Sequence, residues 1–186
     1  MDFTRKDMSG LSIWYGIGVG ISASLLFASF PAIAAENVIL KYRVLQESVS
    51  VSELTTFAET GNASSDLQAY FRMSKQKPET VRRTLTQLIK VRAVVLDRIL
   101  NSTLGNTVLD QLGEAIQTPK GGAERQALRS ALVLSASDDG KLSILEILQR
   151  YPTAEVVVDG DRIEDAYRTL NQFAKRLQNP LETIFR

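Results

Sequence analysis

From Ser50 onward the chain is marked at short intervals by helix starts and stops, and between Ser52 and Tyr151 it offers no convincing strand. That punctuation constrains the fold more than any other feature. A doubly wound α/β domain alternates strands with helices along its whole length, and this pattern does not. Ser50-x-x-Glu53 forms a capping box and opens a helix that stops at Gly61. Ser65-x-x-Gln68 opens a second. Pro78 suits the first turn of a third, with Val81, Leu85, Leu88 and Ile89 at helical spacing. Val91 to Leu100 reads as a fourth, with Val94, Val95, Ile99 and Leu100 apolar. Ser102 caps a fifth, whose Leu104, Val108, Leu112 and Ile116 form one stripe before Pro119. The Lys120-Gly121-Gly122 loop leads to a sixth, with Leu128, Ala131, Leu132 and Ser135 along one side. Ser143-x-x-Glu146 caps a seventh, ended by Pro152. Asp161-x-x-Glu164 caps the last. Its Ile163, Ala166, Tyr167, Leu170, Phe173, Ala174 and Leu177 line up on one face, and Asn179-Pro180 ends it.

Strand signals stand at the two ends of this series. Residues 37–51 (NVILKYRVLQESVSV) read as a hairpin, with Val38, Leu40, Tyr42 and Val44 on one face and Lys41 and Arg43 on the other. Its turn is expected near Gln46-Glu47. Glu155 to Val158 is a short β-branched strand closed by Asp159-Gly160, able to join the hairpin as a third strand. The expected fold is therefore mainly α with a minor β element: six to eight short helices, an N-terminal hairpin and one late strand. Residues 36–186 form a single helical domain in this reading, with no linker and no internal repeat. At about 150 residues such a domain buries roughly 70% of the surface of its unfolded chain, enough for a core of its own.

The segment ahead of the hairpin has a different character. Arg5 and Lys6 are followed by a run without charge from Met8 to Ala35, apolar from Leu11 to Phe30 (LSIWYGIGVGISASLLFASF). Pro31 breaks it, and Ala32-Ile33-Ala34 fits the small-x-small rule of a signal peptidase. Residues 1–35 are expected to be a signal peptide, cleaved after Ala34 or Ala35. The alternative is an uncleaved membrane anchor formed by Leu11 to Phe30, since about 20 apolar residues span a bilayer. Gly16, Gly18, Gly20 and four serines interrupt the run and favour cleavage. With no twin arginine, the general secretory route is expected. The mature protein would reside in a periplasm, a thylakoid lumen or outside the cell.

Composition narrows the chemistry. The 186 residues contain no histidine and no cysteine. Disulfides, thiolate nucleophiles, a lipoprotein anchor, cysteine-type zinc sites and the commonest general base are all excluded. A complete Ser-His-Asp or Cys-His hydrolase is excluded with them. The nucleophile elbow G-x-S-x-G is absent, as are GxGxxG and Walker A loops. Formal charge is +1, from 22 basic and 21 acidic residues, so no whole-molecule field selects nucleic acid. No catalytic residue, cofactor or resident metal is expected.

Three local patterns remain. Asp159, Asp161, Glu164 and Asp165 cluster at the start of the last helix, where acids cap and complement the helix dipole. Residues 135–146 fit a calcium loop with Gly140 at its sixth place. Ser135, Ser137, Asp139, Ser143 and Glu146 then take places one, three, five, nine and twelve, and Leu142 the apolar eighth. Serine replaces aspartate at the first and third places, which leaves Asp139 and Glu146 as the anions. The expected reading is a structural turn with a capping box. Third, Arg72, Lys75, Lys77, Arg82, Arg83, Lys90, Arg92 and Arg98 are opposed only by Glu79 and Asp97 in their stretch. These are the solvated faces of amphipathic helices, and they could make a weak contact with an anionic membrane surface or bind an acidic partner. No aromatic residues interleave with them in the way a nucleic-acid platform needs.

The order of segments resembles a family. VILKYRVLQESVSVSELTTFAETG, then LDRILNSTLGNTVLDQLGEAIQTP, then RQALRSALVLSASDDGKLSILEILQRYPTAEVVVDGDRI are similar to an exported cyanobacterial domain of unknown function. The family carries the label alpha/beta hydrolase of unknown function. The resemblance covers nearly all of residues 35–175. It implies an N-terminal accessory domain of the kind that often precedes an α/β-hydrolase catalytic domain. No residue here matches a nucleophile, acid or histidine of such a catalytic domain, so the resemblance implies exported location and accessory identity, not activity. The expected function is a non-catalytic protein-interaction module, with a hydrolase domain in trans as its possible partner. The alternatives are an enzyme acting together with a partner catalytic domain, and a membrane-surface module.

Overall fold

A computed structural model describes residues 34–178. The apolar run, the Ala32-Ile33 part of the cleavage site and the Asn179-Pro180 terminator lie outside the described residues. Within them the chain forms eight helices and six strands, mainly α with minor β.

Strands β1 (Asn37–Tyr42) and β2 (Leu45–Ser50) pair antiparallel, with Val38 opposite Val49 and Tyr42 opposite Leu45. The turn is therefore Arg43-Val44, not Gln46-Glu47, which lie within β2. Val44 is 96% exposed rather than part of the inner face. The cause is a two-residue connection in which Arg43 adopts a left-handed φ of 54°. The segment after the late strand fixes this turn: Gly160 N donates to Lys41 O at 2.7 Å, and Arg43 N donates to Asp161 Oδ2 at 3.1 Å. A Cβ on Gly160 would lie 3.2 Å from Lys41 O, a tight approach that glycine avoids.

The late strand β6 (Glu155–Asp159) pairs parallel to β1, with Val38 opposite Val156 and Leu40 opposite Val158. A parallel pair needs a long crossover, and the helical body between β2 and β6 supplies it. Val156, Val157 and Val158 are all buried, as expected of an inner strand covered on both faces. A two-residue strand β4 (Ile116–Gln117) completes the sheet antiparallel to β6, giving the order β2-β1-β6-β4. A second ladder pairs β3 (Ile89–Lys90) with β5 (Lys141–Leu142). The region expected to be strand-free thus holds three very short strands. Ile89 and Ile116, expected on helical stripes, are strand residues. Two residues carry no period-2 signal, and each isoleucine follows a helix at a spacing that also suits the helical stripe.

The helices are α1 (Val51–Thr60), α2 (Ser65–Ser74), α3 (Pro78–Thr86), α4 (Ala93–Leu100), α5 (Thr103–Gly113), α6 (Glu124–Ser137), α7 (Ile144–Gln149) and α8 (Ile163–Gln178). Ser50 caps α1 by accepting from Glu53 N, and Gly61 closes it at φ 78°. Glu53 does not complete the box: its carboxylate accepts from Ser64 Oγ. Ser64, not Ser65, caps α2, accepting from Leu67 N at 3.1 Å. On α3 only Leu85 is buried, and Leu88 beyond its end is 56% exposed. On α4 the buried residues are Leu96 and Leu100, while Val94 is 73% exposed. Ser102 caps α5, as its position implied. Asp161 does not cap α8; its carboxylate takes the Arg43 N–H, and α8 begins two residues later. The core runs from the sheet through Leu67, Leu100, Leu109, Leu128, Leu132 and Ile144, all fully buried.

Candidate functional site

An apolar space lies beside the sheet, near the C-terminal ends of β1 and β6 and the start of α8. Leu40 and Tyr42 of β1 and Val158 of β6 form one wall. Leu54 of α1 and Leu67, Tyr70 and Phe71 of α2 form another, and Thr80, Val81, Thr84 and Leu85 of α3 a third. Gly160, Asp161, Ile163 and Glu164 close it at the start of α8, around a cavity of about 200 Å³. Phe71 is held in place by Phe57, with ring centroids 5.3 Å apart, a tilted aromatic pair. Leu54, Leu67, Phe71 and Leu85 are buried, whereas Asp161 and Glu164 are exposed. The cavity thus has an apolar floor and an acidic mouth.

Tyr70 is 5% exposed and lines this space. Burial, reinforced by the negative charge of Asp161, Glu47 and Asp159, pushes its hydroxyl pKa up to about 12. The phenol therefore stays neutral and cannot serve as a base near neutral pH. No lysine or arginine lines the cavity. The Arg43 guanidinium lies over the Tyr42 ring, 5.6 Å from its centroid.

The four acids at the β6–α8 junction are divided among separate tasks. Asp159 Oδ1 accepts from Asp161 N at 2.9 Å, Asp161 accepts from Arg43 N, and Asp165 pairs with Arg168. Glu164 lines the cavity and is exposed. This pocket was not legible in the sequence. Its lining comes from five helices and two strands, and the only local hint was the acidic cluster.

The residues of the calcium-loop pattern fall as follows. α6 continues through Ser137, so Ser135 and Ser137 sit on a helix and not in the loop. Ser135 is 2% exposed with a buried, unpartnered hydroxyl, and Ser137 Oγ donates to Val133 O at 2.6 Å. Asp139 accepts from Lys141 N at 2.9 Å and from Lys141 Nζ at 3.1 Å; the side-chain bond to Lys141 holds its carboxyl below the usual range. Glu146 Oε2 accepts from Ser143 N at 2.7 Å while Ser143 Oγ accepts from Glu146 N, a complete capping box. Among the described residues no group of three or more acidic, His or Cys side chains could hold a metal ion.

All eight cations of the basic stretch are exposed. Arg82 donates to Ala58 O and Glu59 O at 2.7 and 2.9 Å, which caps the C-terminal carbonyls of α1. None of the eight is ion-paired among the described residues.

The described residues form a helical body on a small mixed sheet with a lateral apolar cavity, in a chain without histidine. A family described as alpha/beta hydrolase of unknown function (DUF1400) matches residues 34–159, more than half of the chain. The chain belongs to that family. No curated protein and no solved structure matches it.

Proposed function

We propose that this chain is an exported, non-catalytic accessory domain that works beside an α/β-hydrolase catalytic domain supplied in trans. One observation carries the reading. The family match falls on residues 34–159, and this stretch is the helical body and its mixed sheet, in a chain with no histidine and no nucleophile elbow. Acyl transfer by a serine triad needs a base to take the nucleophile's proton. Tyr70, the most buried titratable side chain of the lining, is held neutral. In this reading hydrolysis belongs to the partner.

Export rests on the leader-like sequence, and the first described residues bear on where a cleavage would fall. Ala34 is exposed, whereas Ala35 is 6% exposed and joins the core, and Glu36 N donates to Ala154 O at 2.9 Å. Cleavage after Ala34 keeps all of these contacts; cleavage after Ala35 removes a core side chain. Intact mass of the exported protein should place its N-terminus at Ala35. A chain retaining Met1 in the membrane fraction would make the segment an anchor. Affinity capture from the exported fraction, followed by an ester-hydrolysis assay, tests the partnership. A captured hydrolase that turns over while the chain alone does not is the expected result. Turnover by the chain alone, sensitive to a serine-directed inhibitor, would overturn it.

A second reading has an observation of its own. Leu88 and Val94 are 56% and 73% exposed and flank the exposed Lys90 and Arg92 around β3. Apolar side chains among unpaired cations suit an anionic lipid surface, at about 1 kcal/mol per basic residue near the bilayer. Co-sedimentation with phosphatidylserine vesicles, lost at high salt and on Lys90→Glu/Arg92→Glu, would support it. Equal sedimentation with neutral phosphatidylcholine vesicles would count against it.

A further inference from the structure

The cavity between α1, α2, α3 and the start of α8 has the features of a ligand site independent of any hydrolase partner. Its floor, formed by Leu54, Leu67, Leu85 and Val158, is apolar and buried. The floor offers water few of the two to four polar partners it needs, and an apolar cavity of about 150 Å³ accepts benzene. At about 200 Å³ this cavity admits a group of similar or slightly larger size. Its mouth carries two exposed carboxylates, Asp161 and Glu164, with no lysine or arginine in the lining. Tyr42 and Tyr70 also line the cavity, and aromatic ring faces attract cations. The Arg43 guanidinium already lies over the Tyr42 ring, so Tyr70 is the lining tyrosine without a cation over it among the described residues.

We infer that this cavity binds a small organic ammonium ion, its apolar or aromatic part in the floor and its cationic head against Asp161 and Glu164. The start of α8 works against this choice, since helix N-termini favour anions. Its partial charge of about half a unit is outweighed by the full charges of Asp161 and Glu164, with Asp165 also in the first turn. Tyr70 fits the same reading. Surrounding carboxylates help keep it protonated, so the mouth presents negative potential without ionising the phenol.

Three matched probes separate head recognition from simple apolar filling: benzylammonium, phenylacetate and benzyl alcohol, titrated calorimetrically into the full chain. Benzylammonium should bind saturably, and the other two about tenfold more weakly or not at all, the difference that charge-assisted hydrogen bonds supply. Asp161→Asn combined with Glu164→Gln should lower benzylammonium affinity about tenfold while leaving the thermal melt cooperative. The asparagine can still accept the Arg43 N–H. Should that double variant not fold, Glu164→Gln alone, at an exposed position, gives the same reading with a smaller loss. Val81→Phe, which fills part of the cavity, should abolish binding. Absent benzylammonium binding, phenylacetate or benzyl alcohol binding as tightly as the amine, or unchanged affinity in a folded carboxylate variant would each overturn the assignment. Undiminished binding to Val81→Phe would move the amine to the surface and overturn it equally.

Discussion

Two hydroxyl groups in the helical core do opposite things. Ser143 Oγ accepts from Glu146 N at 3.2 Å, and the Glu146 carboxylate returns a bond to Ser143 N, so two otherwise orphaned donors are satisfied at the start of α7. Ser143→Ala should cost about 1 kcal/mol, measured by urea denaturation, and equally in chelator and in millimolar calcium. A calcium-dependent rise in melting temperature that Glu146→Ala abolishes would instead make residues 135–146 a metal site. Tyr151 is the contrary case. It is fully buried, and its hydroxyl has no partner. Burial raises its pKa well above that of a free phenol, so the group stays neutral and still loses its hydration. Removing an unpaired buried hydroxyl without changing shape relieves a desolvation cost of about 1–3 kcal/mol. Tyr151→Phe is therefore expected to raise the urea midpoint, and a fall would show that the hydroxyl has a partner in solution.

Among the elements, the α4–α5 corner is the most sharply specified. A Cβ at Gly105 would lie 2.2 Å from Ile99 O and 2.4 Å from Leu100 Cα, both backbone atoms that cannot rotate aside. Gly105→Ala should destabilise by about 1–3 kcal/mol or more, because relief needs the two helices to separate. A melting temperature within a degree of the parent would refute that packing. The sequence made the helices of this body readable because each carries its own apolar spacing and often its own cap, as at Ser50, Ser102 and Ser143. Readability failed where tertiary pairing set the outcome. Val94 and Leu104 look like core residues by spacing yet are exposed, because α4 and α5 pack on α6 with Leu100, Val108 and Leu112 buried instead. The strands at Ile89, Ile116 and Leu142 exist only as partners of one another or of β6. The cavity is assembled from segments far apart in the chain, and only the acids at the start of α8 hinted at it locally.

At the scale of the whole molecule, the family match ends at residue 159 but the fold does not. α8 packs against α5, α3 and β3, and buries Ala166, Leu170, Phe173 and Ala174. Leu170 and Phe173 alone contribute roughly 1.5–3 kcal/mol each on burial. Removing them also exposes their apolar neighbours on α5 and β3. A typical domain has only about 5–15 kcal/mol of net stability, so the loss of α8 removes a large part of it. The start of α8 also closes the cavity through Ile163 and Glu164. A chain truncated after Asp159 should therefore lose its cooperative denaturation transition, or show a midpoint lowered by well over half, when followed by circular dichroism in urea. Adding residues 160–178 back should restore it. An unchanged transition in the truncated chain would mean that α8 is an appendage, and that residues 34–159 hold the complete folding unit.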